Sequence, residues 1–481
     1  MLKPSCPALP GRIRKAVFLV LLVLFSASWM CVAEADDLVG LFQDSNEAPF
    51  LSAFAVLPLA DAVDVPPPPE DPVEIRFLAM EQELAALKKQ LAGKPTSAAI
   101  AAAGPVVYPT VKVTGFFQAD AGWFLQDAAS RTQLGDIQDD RGFRRTRIAA
   151  IGNVAENVSY QLEMDFAFNG RPSFMDVWLD VAKVPIFGNI RIGQWRQPFG
   201  LDELTSVKEL TFLERPLMFG MAPFRQVGVG FHDTSYDQNA TWAGSVFGTG
   251  TDPFGNSIGD RGYGGALRVT KVLVEDPSSD FLVHIGGGYS YIATPNSTIQ
   301  YRNVPEYGGP FDGTTGTTGT VPFFVDTGAI PAENANLFNV EAAGTWGPVH
   351  AQSEFRYSAV NTNAAGRAGF PSFSAQTGWV LTGEHRPYNK AAATLGRIKP
   401  THPIGSRCGG GAVELAVRYS WIDLNEGTIT GGELSNMTYG VNWYLNNFTK
   451  LQFNYINADL NRAPVGSSAT DIFAVRAQLD F

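Results

Sequence analysis

Cysteine is scarce in this sequence. Three occur in 481 residues, and two of them, Cys6 and Cys31, lie among the first 35. That opening segment carries the marks of an export signal. Lys3, Arg12, Arg14 and Lys15 form a basic start, "AVFLVLLVLFSASW" (Ala16 to Trp29) is the apolar stretch, and "AEA" (Ala33 to Ala35) supplies the small-residue cleavage pattern. A retained membrane anchor and a lipid-modified Cys31 are the alternatives, although "SASWMC" lacks the small residue expected before a modified cysteine. Cleavage leaves Cys408 alone, so the mature chain has no internal disulfide.

Beyond residue 35 no run of eighteen apolar residues occurs, which argues against a helical membrane protein. Positive charge is also in short supply. Cleavage removes four basic residues and Glu34, a net loss of three positive charges that takes the chain from −11 to −14. Nucleic acid, which needs a basic face, is a poor partner for such a chain. The five histidines, at 232, 284, 350, 385 and 402, are scattered and form no HExxH or Cys/His grouping, so neither metal nor cofactor is indicated. "GSVFG" (Gly244 to Gly248) is not the G-x-S-x-G nucleophile pattern, and no catalytic residue is assigned. "GDIQDDRG" (Gly135 to Gly142) gathers Asp136, Asp139 and Asp140 without calcium-loop spacing and reads as a solvated loop.

Glycine (49) and phenylalanine (33) are abundant, a profile that suits a β-rich chain with many turns. Residues 36–73 form an acidic linker ending in "VPPPPEDP". Residues 74–93 place Phe77, Met80, Leu84, Leu87 and Leu91 on an a/d seam two heptads long. This is either a short oligomerising coiled coil or a single amphipathic helix. Residues 94–108 are an Ala-rich spacer, and from 109 to 481 the period is two. In "DIFAVRAQLDF" (Asp471 to Phe481), Phe473, Val475, Ala477, Leu479 and Phe481 share one face to the last residue.

About sixteen such segments begin near residues 111, 143, 158, 173, 188, 225, 239, 263, 280, 336, 348, 375, 411, 432, 448 and 471. Tight turns such as "AEN", "YDQN" and "LNN" alternate with long loops such as Gln126–Gly142, Pro198–Phe224 and Ala293–Ala335. The segment Pro387–Gly411 is long on the short-turn side. Short turns on one side and long loops on the other predict an all-β fold, a sixteen-stranded antiparallel transmembrane β-barrel with a short N-terminal coiled-coil helix. In lipid every backbone group must be paired, so the last strand must close on the first and cannot fray.

Several motifs, in order, resemble the phosphate-selective porin O/P family of Gram-negative outer membranes. They are "GFRRTRIAAIGNV" (Gly142 to Val154), "RIGQWRQPFGLDELTSVKELTFLERPL" (Arg191 to Leu217), "LTGEHRPY" (Leu381 to Tyr388), "GGAVELAVRYSWIDLNEG" (Gly410 to Gly427) and "GVNWYLNNFTKLQFNY" (Gly440 to Tyr455). The resemblance spans roughly 110–481 and implies a barrel, usually trimeric, that passes small anions, with Pro198–Phe224 narrowing the pore. In the family's phosphate-specific members basic residues crowd the constriction. Here that loop offers Lys208 and Arg215, with Arg225 just beyond, against Asp202, Glu203, Glu209 and Glu214, so the phosphate ladder does not carry across residue by residue.

Pore chemistry resides in charge that faces the lumen. The two-residue period turns Arg145 and Arg147 inward on the second strand, Glu163 and Asp165 on the third, Asp176 and Asp180 on the fourth, and Arg191 on the fifth. These residues, with Lys208, Glu209, Glu214, Arg215 and Arg225, are the candidate pore-lining set; each could instead only brace the wall. The expected partners are small hydrophilic solutes or anions, outer-membrane lipid and two further copies of the chain. Peptidoglycan is a further candidate through the N-terminal helix. A porin without ion preference, an outer-membrane barrel enzyme and an adhesin are the competing functions.

Overall fold

The computed structural model describes residues 107–481, except 168–170, 257–261, 295–296, 311–318, 364–365 and 407–408. The export signal, the linker, the 74–93 seam and Cys408 lie outside the described residues.

Sixteen antiparallel strands form a closed barrel. The first nine are β1 (Lys112–Gln126), β2 (Asp140–Ala155), β3 (Val158–Asp165), β4 (Ser173–Val184), β5 (Gly188–Arg196), β6 (Arg225–Thr234), β7 (Ala240–Gly248), β8 (Tyr263–Asp276) and β9 (Phe281–Ala293). The rest are β10 (Ile330–Trp346), β11 (Val349–Thr362), β12 (Gly366–Val380), β13 (Ala412–Glu426), β14 (Ile429–Tyr444), β15 (Thr449–Arg462) and β16 (Gly466–Asp480). Each pairs with its chain neighbour, and β16 closes on β1 from Phe116↔Asp480 to Gln126↔Thr470. The terminal Phe481 exchanges backbone hydrogen bonds with Gly115, at 3.1 and 3.0 Å. The last strand is therefore paired to its final residue, as lipid requires. On its outer face Phe473 and Phe481 are 40% and 59% exposed, while Arg476 and Gln478 are buried on the lumen side.

The alternation of short turns and long loops holds as far as β10 and then stops. The upper hairpins β11–β12, β13–β14 and β15–β16 turn within a few residues, and β10, β12 and β16 begin at 330, 366 and 466, earlier than the hydropathy pattern predicts. The top of β12 shows why. Ala368 and Phe370 point inward, but their outward neighbours are Arg367, Gly369 and Pro371, so the lipid-type signal is missing where the strand stands in water. Ile472 and Ala474 of β16 likewise face inward, into a buried apolar cluster.

That cluster is formed by loop on wall. Tyr307 and Phe324 of the 294–329 segment (L5) and Leu217 of Gln197–Phe224 (L3) pack against Ile422, Leu434 and Ile456, all at 0% exposure. Each such side chain contributes roughly 1.5–3 kcal/mol relative to exposure. From the periplasmic end, the segment 381–406 also folds into the barrel. It buries Ala393, Leu395 and Ile398, and Arg268 on β8 donates to the Ala393 carbonyl at 2.9 Å.

Candidate permeation pathway

L3 enters the lumen at Gln197 and leaves at Phe224, the two joined by a backbone hydrogen bond of 2.9 Å. Gly288 on β9 permits its entry, because a Cβ there would fall on the Phe199 carbonyl. Of the glycine run Gly286–Gly288, Gly288 makes room for L3, whereas Gly286 makes room for the Glu341 side chain. A one-turn helix, Leu201–Leu204, follows, and the Glu354 carboxylate accepts from the first-turn amides of Leu201 (3.0 Å) and Asp202 (2.7 Å).

The rest of L3 is held by cationic side chains of the wall that donate to its carbonyls. Arg418 reaches Glu214 O at 2.9 Å, Arg356 reaches Met218 O at 3.1 Å, Lys450 reaches Leu210 O at 3.1 Å and Arg476 reaches Leu213 O. Across the lumen Arg196 donates to Thr205 O at 2.7 Å. Charge-assisted bonds of this kind are about twice as strong as neutral ones. Many lumen arginines are therefore structural braces for the loop.

The carboxylates of L3 are not free to set an acidic field across the pore. Glu214 sits among Arg145 (2.7 Å), Arg476 (2.7 Å) and Arg144 (3.3 Å). Glu209 pairs with Arg397 of the periplasmic insert at 2.9 Å. Asp202 and Glu203 are buried in the loop itself. Burial pushes the Glu203 carboxyl up to about 7, against the opposing pull of Arg356. Arg215 is buried too, and burial followed by the proximity of Arg196, Arg145 and Arg225 lowers its pKa well below the usual arginine value. Arginine stays charged even so, which makes that lowering a sign of crowded positive charge around L3.

Two cavities flank this belt. The upper, about 500 Å³, lies between β2–β6, L3, L5 and the 249–262 loop. The lower, about 540 Å³, lies against β3–β8 and opens toward the periplasmic insert. Of the candidate set, Arg145, Arg147, Asp165, Glu214, Arg215 and Arg225 line the upper cavity. Asp176 and Arg191 line the lower. Asp180 backs it by accepting from Arg191 (2.7 Å) and contacting His232 at 2.8 Å. Lys208 and Glu209 line neither cavity, and Glu163 stands behind Arg147 at 3.8 Å. Most inward charges are paired across strands, with Arg147 on Asp165 at 2.8 Å and Arg225 on Asp176 at 2.9 Å.

Arg144, Arg196, Arg268 and Arg302 also border the cavities but were not in the candidate set, although Arg268 keeps the regular inward alternation of β8 and Arg302 lies in L5. Arg144 is turned inward by a bulge, since Gln118 pairs with Arg145 and Ala119 with Phe143. The run "FRRTR" was its only trace in the sequence.

The family model for phosphate-selective porins O and P matches residues 111–481. This chain belongs to that family. It is similar to Porin O of Pseudomonas aeruginosa, at 26% identity over 402 residues, covering 77% of this chain and 88% of the relative. It is also similar to an uncharacterized protein of Caulobacter vibrioides, at 25% identity, covering 70% of this chain and 68% of the relative. Among solved structures it resembles OmpT, an outer membrane protein of Vibrio cholerae (11% identity, 78% and 100% covered, TM-score 0.48). It also resembles an anion-selective porin from Comamonas acidovorans (12% identity, 77% and 99% covered, TM-score 0.43).

As a member of this porin family the chain is a diffusion channel of the outer membrane for small hydrophilic solutes. Met175 borders the upper cavity and Asp176, its neighbour on β4, borders the lower, so both cavities lie against the same wall of the barrel. A narrow passage with low-dielectric walls focuses the field of those side chains onto a passing solute.

Proposed function

We propose that the channel prefers anions. The observation that carries this reading is the upper cavity, where Arg144, Arg145, Arg147, Arg215, Arg225 and Arg302 face four carboxylates, an excess of two positive charges. The lower cavity adds Arg191, Arg196 and Arg268 against Asp176 and Asp233. Small anions enter a positive mouth, pass the belt at L3 and leave through a second weakly positive chamber. Single-channel recording in planar bilayers under a potassium chloride gradient tests this, with a reversal potential on the anion side expected. A potential of zero or on the cation side would reject it.

The second reading, a channel without ion preference, is favoured by the cross-strand pairs Arg147–Asp165, Arg225–Asp176 and Arg191–Asp180, which cancel much of the field locally. The same pairs weigh against a site that grips phosphate with many donors, because Arg145, Arg147, Arg215 and Arg225 are already engaged by carboxylates and L3 carbonyls. Phosphate added to the same bilayers is expected to block no better than chloride competes.

We further infer a homotrimer exported with cleavage after Ala35, with residues 74–93 as a periplasmic coiled coil that braces the trimer or meets peptidoglycan. The seam Phe77, Met80, Leu84, Leu87, Leu91 supports this. Deleting 74–93 should lower the temperature at which the trimer dissociates on a detergent gel; an unchanged temperature would count against the brace.

A further inference from the structure

The upper cavity holds more than charge. Phe219 and Phe224 of L3 meet edge to face, with centroids 4.8 Å apart and planes at 85°. The Arg215 guanidinium lies 5.1 Å from the Phe219 centroid, and that of Arg225 lies 4.8 Å from Phe224. On the opposing loop, Arg302 lies 4.3 Å from the ring of Phe323. All six residues line the same cavity. L5 and L3 are tied together at this place, for Asn303 Nδ2 donates to Leu217 O at 2.5 Å.

An inorganic anion gains nothing from this aromatic lining. Its hydration shell is polar, and a phenyl face replaces none of the hydrogen bonds that the shell supplies. An anion whose charge sits on the edge of an aromatic ring gains from both parts. Its carboxylate meets the guanidinium of Arg302, which among the described residues donates to no carboxylate or carbonyl, while its ring stacks on guanidinium planes and packs edge to face with phenylalanine. A cavity of about 500 Å³ also lies within the range that small-molecule sites occupy, large for a bare ion and ample for one ring.

We propose that the upper cavity is a selectivity site for small aryl carboxylates of the benzoate type. The proposal rests on the anion preference argued above and names the anion. Arginine–phenylalanine pairs on two different loops supply the stacking surfaces, and the arginine excess supplies the charge recognition.

The test uses the purified full-length protein in planar bilayers. Benzoate, cyclohexanecarboxylate, acetate and phosphate are each added to a chloride solution, and the concentration that halves the chloride current is read. Benzoate is expected to block at roughly one-tenth the concentration of acetate, with cyclohexanecarboxylate between them, as one desolvated cation–π or stacking contact would give. Phe219→Leu and Phe323→Leu keep the bulk and remove the π face. Each is expected to bring benzoate to the level of cyclohexanecarboxylate while acetate block stays as it was. Equal block by benzoate and acetate, block led by phosphate, or a benzoate-to-acetate ratio unmoved by both variants would overturn the proposal. The reversal potential read in the same bilayers separates the two levels. An anion-side potential without aryl preference rejects only the aryl site, whereas a zero or cation-side potential rejects the anion reading beneath it.

Discussion

The two halves of the barrel wall are built differently. Strands β3 to β7 are short, from 8 residues in β3 to 12 in β4, and border the open cavities. Strands β10 to β16 are tall, from 14 residues in β11 and β15 to 17 in β10, and none of their described residues lines either cavity. L3, L5 and the periplasmic insert cover their lumen face instead. Arginine therefore does two jobs in one lumen. On the tall wall it holds loop carbonyls and buried acids; on the short wall Arg191 and Arg225 pair with acids of β4 and border the cavities, and only Arg196 also holds an L3 carbonyl. The filled half narrows the lumen, and the open half is where the proposed anion preference would reside.

The largest expected effect of breaking this division lies on the tall wall. Arg476 on β16 is fully buried, pairs with Asp120 and Glu214 at 2.7 Å each, and donates to the Leu213 carbonyl. Arg476→Met would strand Asp120, remove one of the three arginines around Glu214 and release a loop carbonyl. Loss of one partner from a buried pair costs about 3–5 kcal/mol. The expected result is a lower unfolding midpoint in the heat-modifiability assay, together with noisier open-channel current as L3 loosens. A quiet channel with the wild-type midpoint would show that L3 is held without Arg476.

Next in size is a pH effect seated in L3. The Phe224 amide donates to Glu203 Oε1 at 2.8 Å, the other oxygen has no hydrogen-bond partner among the described residues and lies 3.9 Å from Arg356 Nη2, and burial holds this carboxyl at about 7. The raised value means that the folded state binds the proton more tightly than the unfolded chain, whose glutamate titrates near 4.5. The protonated form's stability is fully present below about 4.5 and is lost as pH rises through about 7, by up to roughly 3 kcal/mol. Unfolding midpoints should therefore fall between those pH values in the wild type. Glu203→Gln should flatten this dependence, and an unchanged slope in the variant would place the titration elsewhere.

Much of the barrel could be read from the chain before its structure, but the division of its wall could not, for a physical reason. Membrane strands write a two-residue period because lipid and lumen lie on opposite faces, so Tyr160, Leu162 and Met164 of β3 were legible against Gln161, Glu163 and Asp165. Closure was legible in the apolar residue at the very end, Phe481. The tops of β12 and β16 were not, because water on the outer face erases the apolar half of the signal. Arg145, Arg147 and Arg191 were legible as lumenal, yet what they and the tall-wall arginines grip was not. Their partners are often backbone carbonyls such as Met218 O and Glu214 O, and a carbonyl carries no residue identity. The acids of L3 misled for a related reason: sequence counts charges, whereas the fold neutralises Glu209 with Arg397, 188 residues away.

The smallest expected effect is the one that best separates the two walls. Arg191 on β5 lines the lower cavity, its side chain is 24% exposed, and its partner Asp180 keeps a second contact with His232 at 2.8 Å. Arg191→Gln should therefore cost no more than about 1 kcal/mol, as partly solvated pairs do, and the unfolding midpoint should hardly move. The charge facing the passage nevertheless drops by one, so the reversal potential should shift measurably toward the cation side. Adding Asp180→Asn to the same chain removes the acid left behind and should return the potential most of the way. If the midpoint falls while the potential stays, the short wall is a brace like the tall one and the division fails. If the potential moves at constant midpoint, selectivity and shape are carried by different arginines of one barrel, which is what the placement of L3 against one wall implies.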